Sequence, residues 1–203
     1  MVEKISKRKL YQITVTNPYK HAFVKGQKVS VGKEYTPFFK FYEGTREYPV
    51  AIGNTGQIEQ VNAIEWLHRV KIGTIQTSPQ TLAAIAWEVS QHYMMLAREL
   101  LMEQIRIDEF GGEPPSRQRC LYLSESAEEA KSWLLLLGGD GAVCELTCTG
   151  SIHRADSRLM VMVSEPLSAT QEKARAYWRG ESSADPRMET LFIGDAEVTA
   201  YGL

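Results

Sequence analysis

The sequence predicts a mixed α+β domain, and three stretches carry that prediction. Residues 120–123 are apolar with one tyrosine, which is typical of a short buried strand. Ser126 follows at the position of a helix cap, and Glu129 three residues later completes a capping box. A longer helix is predicted over 78–105, where apolar residues recur every three or four positions. Alternating apolar and polar residues over 142–149 indicate a further strand.

Length and composition indicate one globular domain over residues 1–203. Hydrophobic residues make up 43% of the chain and charged residues 24%, as in ordinary soluble proteins. The net charge of -2 argues against an overall basic field for nucleic acids. Local basic groups exist, among them Arg117 with Arg119 and Arg154 with Arg158. No apolar run approaches the roughly 20 residues of a membrane span, and the N-terminus has no secretory pattern. A cytoplasmic location is therefore expected.

The cysteines and histidines do not predict a metal site. Cys120, Cys144 and Cys148 form no paired metal-ligand spacing, so buried reduced thiols are expected. His68 and His92 lie in predicted helices without a partner at the spacing of a zinc site. No metal is therefore expected.

The N-terminal third mixes extended and aromatic segments. Residues 10–16 have the composition of a strand, and Gln12 within them is either a solvated side chain or a ligand-facing amide. Residues 23–31 suggest a strand or hairpin. The aromatic segment 33–50 predicts a packed loop with short extended pieces, which covers the core or walls a nucleotide pocket. Residues 56–72 predict a helix.

The C-terminal third is predicted to hold one more helix and a hairpin. Its expected elements are a loop over 152–156, a strand or short helix over 159–163, a helix opened by a capping box at Ser168 and running to Trp178, and two strands over 188–201 with a turn at Gly194-Asp195.

Two segments resemble motifs of the NAD-dependent ADP-ribosyltransferases. The run Leu121-Tyr122-Leu123-Ser124, followed by a helix with Trp133, is similar to the tyrosine motif of their H-Y-E branch. The stretch 189–198 looks like their last motif, in which a catalytic glutamate opens a strand. Gln12 on the first strand stands where the family usually has histidine, which is a departure from its pattern.

The resemblance implies a fold of split, mostly antiparallel sheets around a cleft, with the long helix packed on one side. It also implies roles for five residues. Glu189 would bind the 2′-hydroxyl of the nicotinamide ribose and stabilise an oxocarbenium-like state, and Tyr122 would stack on the nicotinamide. Gln12 would anchor the other ribose, with Ser124 at the mouth of the sheet. Arg117 would meet the pyrophosphate or a backbone carbonyl. Gln12, Tyr122 and Glu189 are expected in one pocket.

Two other sequence patterns also resemble parts of this chain. The R-S-E branch has a serine-rich strand that Ser124-Glu125-Ser126 resembles, but Arg187-Met188-Glu189 lacks the first glutamate of its last motif. The H-Y-E pattern is therefore preferred. The chain is also similar to an uncharacterised bacterial family with a Pro-Ser-Arg run before the middle strand, which Pro115-Ser116-Arg117 matches.

The resemblance implies a mono-ADP-ribosyltransferase with NAD as substrate. Its acceptor would be RNA, DNA or protein, and the protein would be a bacterial toxin or a phage-defence protein, with an antitoxin or inhibitor as a partner. The alternative is a catalytically inactive interaction domain that keeps the fold. A different α/β enzyme is disfavoured, because the sequence has no G-x-S-x-G elbow, Walker loop or GxGxxG.

Overall fold

A computed structural model describes residues 2–15, 23–52, 56–160 and 165–203. The chain divides into two compact units: Met1–Thr36 with Leu100–Leu203, and Pro37–Glu99. No described helix is long and apolar enough to cross a lipid bilayer. The strands are β1 Val2–Val15, β2 Lys28–Val31, β3 Glu47–Ile52, β4 Gln57–Asn62, β5 Leu121–Leu123, β6 Gly141–Asp156 and β7 Met188–Tyr201. The helices are α1 Pro37–Glu43, α2 Ala63–Lys71, α3 Pro79–Phe110, α4 Ala127–Leu136 and α5 Leu167–Arg179, with a 3₁₀ turn over Ser157–Met160.

The first unit is built on one curled antiparallel sheet. Its strand order is β1-β6-β7-β2, and β5 also pairs with β7. Just after β5, Ser124 exchanges two backbone hydrogen bonds with Tyr11 of β1, at 2.7 and 2.9 Å. The sheet therefore curls until β5 reaches its first strand. The predicted α+β class with antiparallel strands is confirmed.

The two faces of this sheet pack in separate clusters, because successive side chains of a strand point to opposite sides. The inner face of the curl buries apolar residues from every long strand, including Leu10, Cys144, Leu146, Cys148, Ile152 and Phe192. The outer face packs Ala155 and Leu191 against α3 and α5 through Met102, Ile105, Tyr177 and Trp178. The expected burial of all three cysteines is confirmed, and burial raises the pKa of Cys148 to about 12.

The predicted turn at Gly194-Asp195 is wrong, because β7 continues without a break to Tyr201. Gly194 pairs with Gly150 of β6, and the two backbones approach very closely there. A Cβ atom on either glycine would overlap the backbone of the opposite strand. Glycine at these positions therefore permits contact between strands rather than reversing the chain.

Several helix and strand boundaries differ from the sequence prediction. The segment 33–50 contains α1 and β3 rather than only a packed loop, and residues 57–62 form β4 instead of the start of a helix. Pairing with β3 favours the extended form, and α2 begins only after Asn62, whose side chain accepts from the Ile64 N–H at 2.9 Å.

The C-terminal third also differs in detail. Residues 152–156 belong to β6 instead of forming a loop, and 157–160 form the 3₁₀ turn, while 161–163 lie outside the described residues. The predicted capping box at Ser168 is wrong, since α5 starts one residue earlier behind Pro166 and has no side-chain cap.

Two predicted caps are confirmed by hydrogen bonds. Ser78 Oγ accepts from the Thr81 N–H at 3.0 Å at the start of α3, and Ser126 Oγ accepts from the Glu129 N–H at 3.1 Å at the start of α4. Both hydroxyls satisfy N–H groups that the first turn of a helix leaves unpaired.

The second unit holds α1, the β3–β4 hairpin, α2 and the first part of α3. Its aromatic side chains surround the buried imidazole of His92, which lies 5.2–6.0 Å from the ring centroids of Phe41, Tyr42 and Tyr93. Burial, with a further effect from the cation of Arg46, lowers the pKa of His92. His92 is therefore a neutral core residue at pH 7, as its lone position in the helix suggested.

Candidate functional site

A buried carboxylate lies at the start of β7. Glu189 is the second residue of that strand and accepts a hydrogen bond from the Tyr177 hydroxyl at 2.6 Å. Arg117 Nη1 donates to the same carboxylate oxygen, and it also donates to the Tyr177 hydroxyl at 2.6 Å. The three side chains thus form a closed triangle of hydrogen bonds.

This triangle is almost removed from water. The side chain of Arg117 is 6% exposed and that of Glu189 is 11% exposed. Burial raises the pKa of Tyr177 well above its usual value, although the nearby charge of Arg117 opposes the shift. Tyr177 therefore remains protonated and donates to Glu189. A buried ion pair of this kind requires both partners, because either charge alone is costly in the interior.

Two tyrosine rings contact the guanidinium of Arg117. The Arg117 guanidinium carbon lies 5.3 Å from the ring centroid of Tyr122 and 5.1 Å from that of Tyr177. The Tyr122 hydroxyl donates to the backbone carbonyl of Arg117 at 3.0 Å, which fixes the ring beside the residue it contacts. Cation–π attraction at this range adds to the ion pair.

The loop that carries Arg117 is anchored to the last turns of α3. Arg106 donates to the carbonyl of Pro114 at 2.9 Å, and Ser116 Oγ donates to Glu103 at 2.9 Å. Arg106 and Glu103 are themselves joined at 2.7 Å. The loop is therefore held at the backbone of Pro114 and at the Ser116 side chain, which places Arg117 against the sheet.

The loop before Glu189 is anchored by Asp156, the last residue of β6. Its carboxylate accepts backbone N–H bonds from Arg158 at 2.9 Å, Ser183 at 2.8 Å and Arg187 at 2.8 Å. Burial alone would raise the pKa of Asp156, but the hydrogen bonds from Ser183, Arg158 and Arg187 outweigh it and lower the pKa. The ionised Asp156 carboxylate therefore fixes the loop before β7 and the position at which β7 begins.

The comparison with known protein families gives one match. A family described as "Protein of unknown function (DUF2441)" matches residues 10–201. The chain belongs to this family. None of the curated proteins compared with the chain matches it. The segments that supply Arg117, Tyr177 and Glu189 all lie inside the matched range of this DUF2441 protein.

Three of the five predicted site residues meet in the structure. Arg117, Tyr122 and Glu189 belong to the cluster described above. Ser124 is buried next to Tyr122, and its backbone joins β5 to β1. No group of three or more His, Cys, Asp or Glu side chains that could hold a metal ion occurs in the described ranges.

Gln12 does not join them, so the prediction that Gln12, Tyr122 and Glu189 converge in one pocket is wrong. Gln12 pairs in register with Cys144, whose side chain belongs to the inner cluster of the curl. Tyr122 pairs with Leu191, which belongs to the outer cluster. Glu189 lies two residues before Leu191 in β7 and therefore shares its face. The strand alternation that governs side-chain direction places Gln12 and Glu189 on opposite faces. The Gln12 side-chain oxygen is buried and makes no hydrogen bond to a described residue.

Sequence reasoning missed Tyr177 and Asp156. Tyr177 lies on the apolar face of α5 next to Trp178, a pattern that indicates only core packing. Asp156 lies at the end of a long strand segment, where an acidic residue usually marks a turn. Their roles depend on loops that return from distant parts of the chain, so no local pattern could have identified them.

Proposed function

We propose that this DUF2441 protein is a mono-ADP-ribosyltransferase, which transfers ADP-ribose from NAD to a macromolecular acceptor. The observation that carries the proposal is the meeting of Arg117, Tyr122 and Glu189 in one buried cluster, although Arg117 and Glu189 are 72 residues apart. The middle and last motifs thus meet in space, whereas Gln12 of the first motif lies on the other face of the sheet. The split-sheet fold of those enzymes is part of the proposal.

The chemistry assigned to Glu189 is electrostatic. As the bond between the ribose C1′ and the nicotinamide nitrogen breaks, its electron pair leaves with nicotinamide and positive charge develops on the sugar. A carboxylate fixed beside that carbon stabilises the charge. The acceptor nucleophile then bonds to C1′ and loses its proton. Tyr177 keeps the carboxylate oriented by its 2.6 Å hydrogen bond, which is maintained because Tyr177 stays protonated.

Arg117 has to exchange partners when NAD enters. In the substrate-free cluster its guanidinium neutralises Glu189. A diphosphate offers the guanidinium a bidentate anionic partner and releases the carboxylate for the ribose hydroxyl. Tyr122 lies against Arg117, where its ring can stack on the nicotinamide. Gln12 has no part in this proposal, because it faces the other side of the sheet.

A protein acceptor is favoured over nucleic acid. Three arginines are neutralised by carboxylates: Arg8 by Glu125 at 2.9 Å, Arg154 by Glu125 at 3.1 Å and Arg158 by Asp185 at 2.7 Å. Arg119 donates to the backbone carbonyl of Lys33 at 2.7 Å. Binding to nucleic acid depends on cations that are available to phosphates. The proposal includes a cytoplasmic site of action, as a bacterial toxin or defence protein restrained by an antitoxin or inhibitor.

A second candidate is an inactive interaction domain with the same fold. The observation that favours it is the closure of the cluster, in which Arg117 and Tyr177 already satisfy Glu189. In that case the ion pair serves only to lock the loop before β5 onto β7.

The experiment that separates the two candidates uses NAD labelled on the adenylate phosphate, incubated with the protein and cell lysate. Wild type should transfer label to protein, and Glu189→Asp and Glu189→Gln should reduce transfer by roughly 100-fold or more. Glu189→Asp keeps the charge and so limits the cost to folding. Glu181→Gln, which removes an exposed ion pair with Arg179, is the matched control and should keep the wild-type rate. Absence of label from all macromolecules with wild type, together with no heat of NAD binding, would favour the second candidate.

A further inference from the structure

A second site lies on the opposite face of β7 from Glu189. It is a cavity of about 370 Å³ whose walls include Glu129, Ser132 and Trp133 of α4, Arg154 of β6, Arg187 before β7 and Met188 at its start. The Glu129 carboxylate in this wall pairs with Arg154 at 3.3 Å. Met188 alternates in direction with Glu189 along the strand, so the cavity does not open onto the Glu189 cluster. Its volume falls in the range of sites for small molecules.

The aromatic wall of this cavity is fixed in place. The Trp133 indole N–H donates to the Met188 carbonyl at 2.9 Å, which ties α4 to the start of β7. The guanidinium carbon of Arg187 lies 5.6 Å from the centroid of that indole. The backbone of Arg187 is held on both sides, since its N–H donates to Asp156 at 2.8 Å and its carbonyl accepts from the Ser157 N–H at 2.8 Å. An aromatic surface and a cation are therefore set side by side before any ligand arrives.

The two arginines at the cavity differ in whether a carboxylate neutralises them. Arg154 is engaged by two carboxylates, Glu125 at 3.1 Å and Glu129 at 3.3 Å. The guanidinium of Arg187 forms no ion pair with any residue in the described ranges and lies over the ring of Trp133. A cation over an indole without a carboxylate partner is suited to a ligand with one anionic group.

We propose that this cavity binds a small aromatic anion, a planar ring that carries a single carboxylate or phosphate group. The ring lies against Trp133 and Met188, and the anionic group pairs with Arg187. Stacking on an indole supplies affinity for the ring, while the guanidinium selects for the charge. The site is separate from the Glu189 cluster, because Met188 and Arg154 project from the opposite face of the sheet to Glu189.

The test is a set of calorimetric titrations of the full chain with four probes. Adenosine 5′-monophosphate and indole-3-acetate carry a ring and an anion, adenosine carries only the ring, and inorganic phosphate carries only the anion. At least one of the first two should bind, and adenosine and inorganic phosphate should each bind at least 10-fold more weakly. The two ring-bearing anions distinguish a phosphate ligand from a carboxylate ligand.

Variants assign the binding to the cavity. Arg187→Gln should weaken the ring-bearing anion at least 10-fold and leave adenosine unchanged. Trp133→Phe, which keeps an aromatic ring but loses the N–H bonded to the Met188 carbonyl, should weaken both. Arg158→Gln removes a neighbouring exposed arginine that does not line the cavity and is the control. The titrations are made without NAD or an acceptor, so failure of the transferase proposal does not affect this result. Binding of adenosine as tight as that of the better ring-bearing anion, wild-type binding by Arg187→Gln, or no binding of either ring-bearing anion would each overturn the proposal.

Discussion

The buried pair of Arg117 and Glu189 predicts a large effect of Glu189→Gln on stability, whatever the function of the protein. The substitution keeps the size of the side chain and an oxygen that can accept from Tyr177, so only the negative charge is lost. Arg117, with its side chain 6% exposed, then remains as a buried cation without its counter-ion. Breaking such a pair costs about 3 kcal/mol or more of the free energy of unfolding. For a chain of this length the melting temperature should fall by roughly 6–12 °C.

The assay has to report on the first unit by itself, because the chain divides into two compact units. Amide hydrogen exchange of β6 and β7 gives the opening free energy of that sheet directly. Far-UV circular dichroism and tryptophan fluorescence in urea test whether the two units unfold together.

The controls separate charge burial from loss of a carboxylate. Glu181→Gln breaks an ion pair whose side chains are 46% and 53% exposed, so the free energy should change by less than about 1 kcal/mol. The double variant Arg117→Met/Glu189→Gln removes both buried charges. It should be more stable than the sum of the two single changes predicts, by at least about 1 kcal/mol. A Glu189→Gln protein as stable as Glu181→Gln would refute the reasoning.

Three further predictions concern the scaffold. Gly194→Ala should lower the free energy of unfolding, measured in urea, by about 3 kcal/mol, because residue 194 has a positive φ and the new methyl group would meet the backbone of β6. Gly139→Ala also has a positive φ but faces open space, and it should cost about 1 kcal/mol. Because burial lowers the pKa of His92, the second unit should lose stability as pH falls below about 6.5, and thermal melts of His92→Phe should lack that loss. Because the pKa of Asp156 is lowered in the folded state, its contribution to the free energy of unfolding is present above about pH 4 and is lost as pH falls through the folded pKa. Asp156→Asn should therefore be less stable than wild type at pH 7 and show a shallower acid transition by circular dichroism.

Local chemistry was enough to predict several elements. Ser78 and Ser126 precede helices because a hydroxyl satisfies the first free N–H groups, and that interaction involves only residues three positions apart. The strand predicted from composition over 120–123 is observed over Leu121–Leu123, one residue shorter at its start. The long helix was predicted to Ile105 and extends to Phe110, because periodicity identifies a helix better than it identifies its last turn.

Predictions that depended on a partner strand were less accurate. Residues 57–62 carry apolar positions that fit a helix as well as a strand, and the pairing with β3 decided between them. The glycine at 194 has the local appearance of a turn, yet Gly150 on the opposite strand makes it a point of close contact. Both outcomes required knowledge of residues far away in the chain.

The sequence by itself determined the α+β class, the helix caps at Ser78 and Ser126 and the burial of the cysteines. The family resemblance led to the expectation that Tyr122 and Glu189 share one site. Only the tertiary structure decided that Tyr177 completes their cluster with Arg117 and that Gln12 lies on the other face of the sheet. The physical reason is that caps and periodicity are set by neighbours within one or two turns. The face on which a strand residue lies depends instead on the register and curl of the whole sheet.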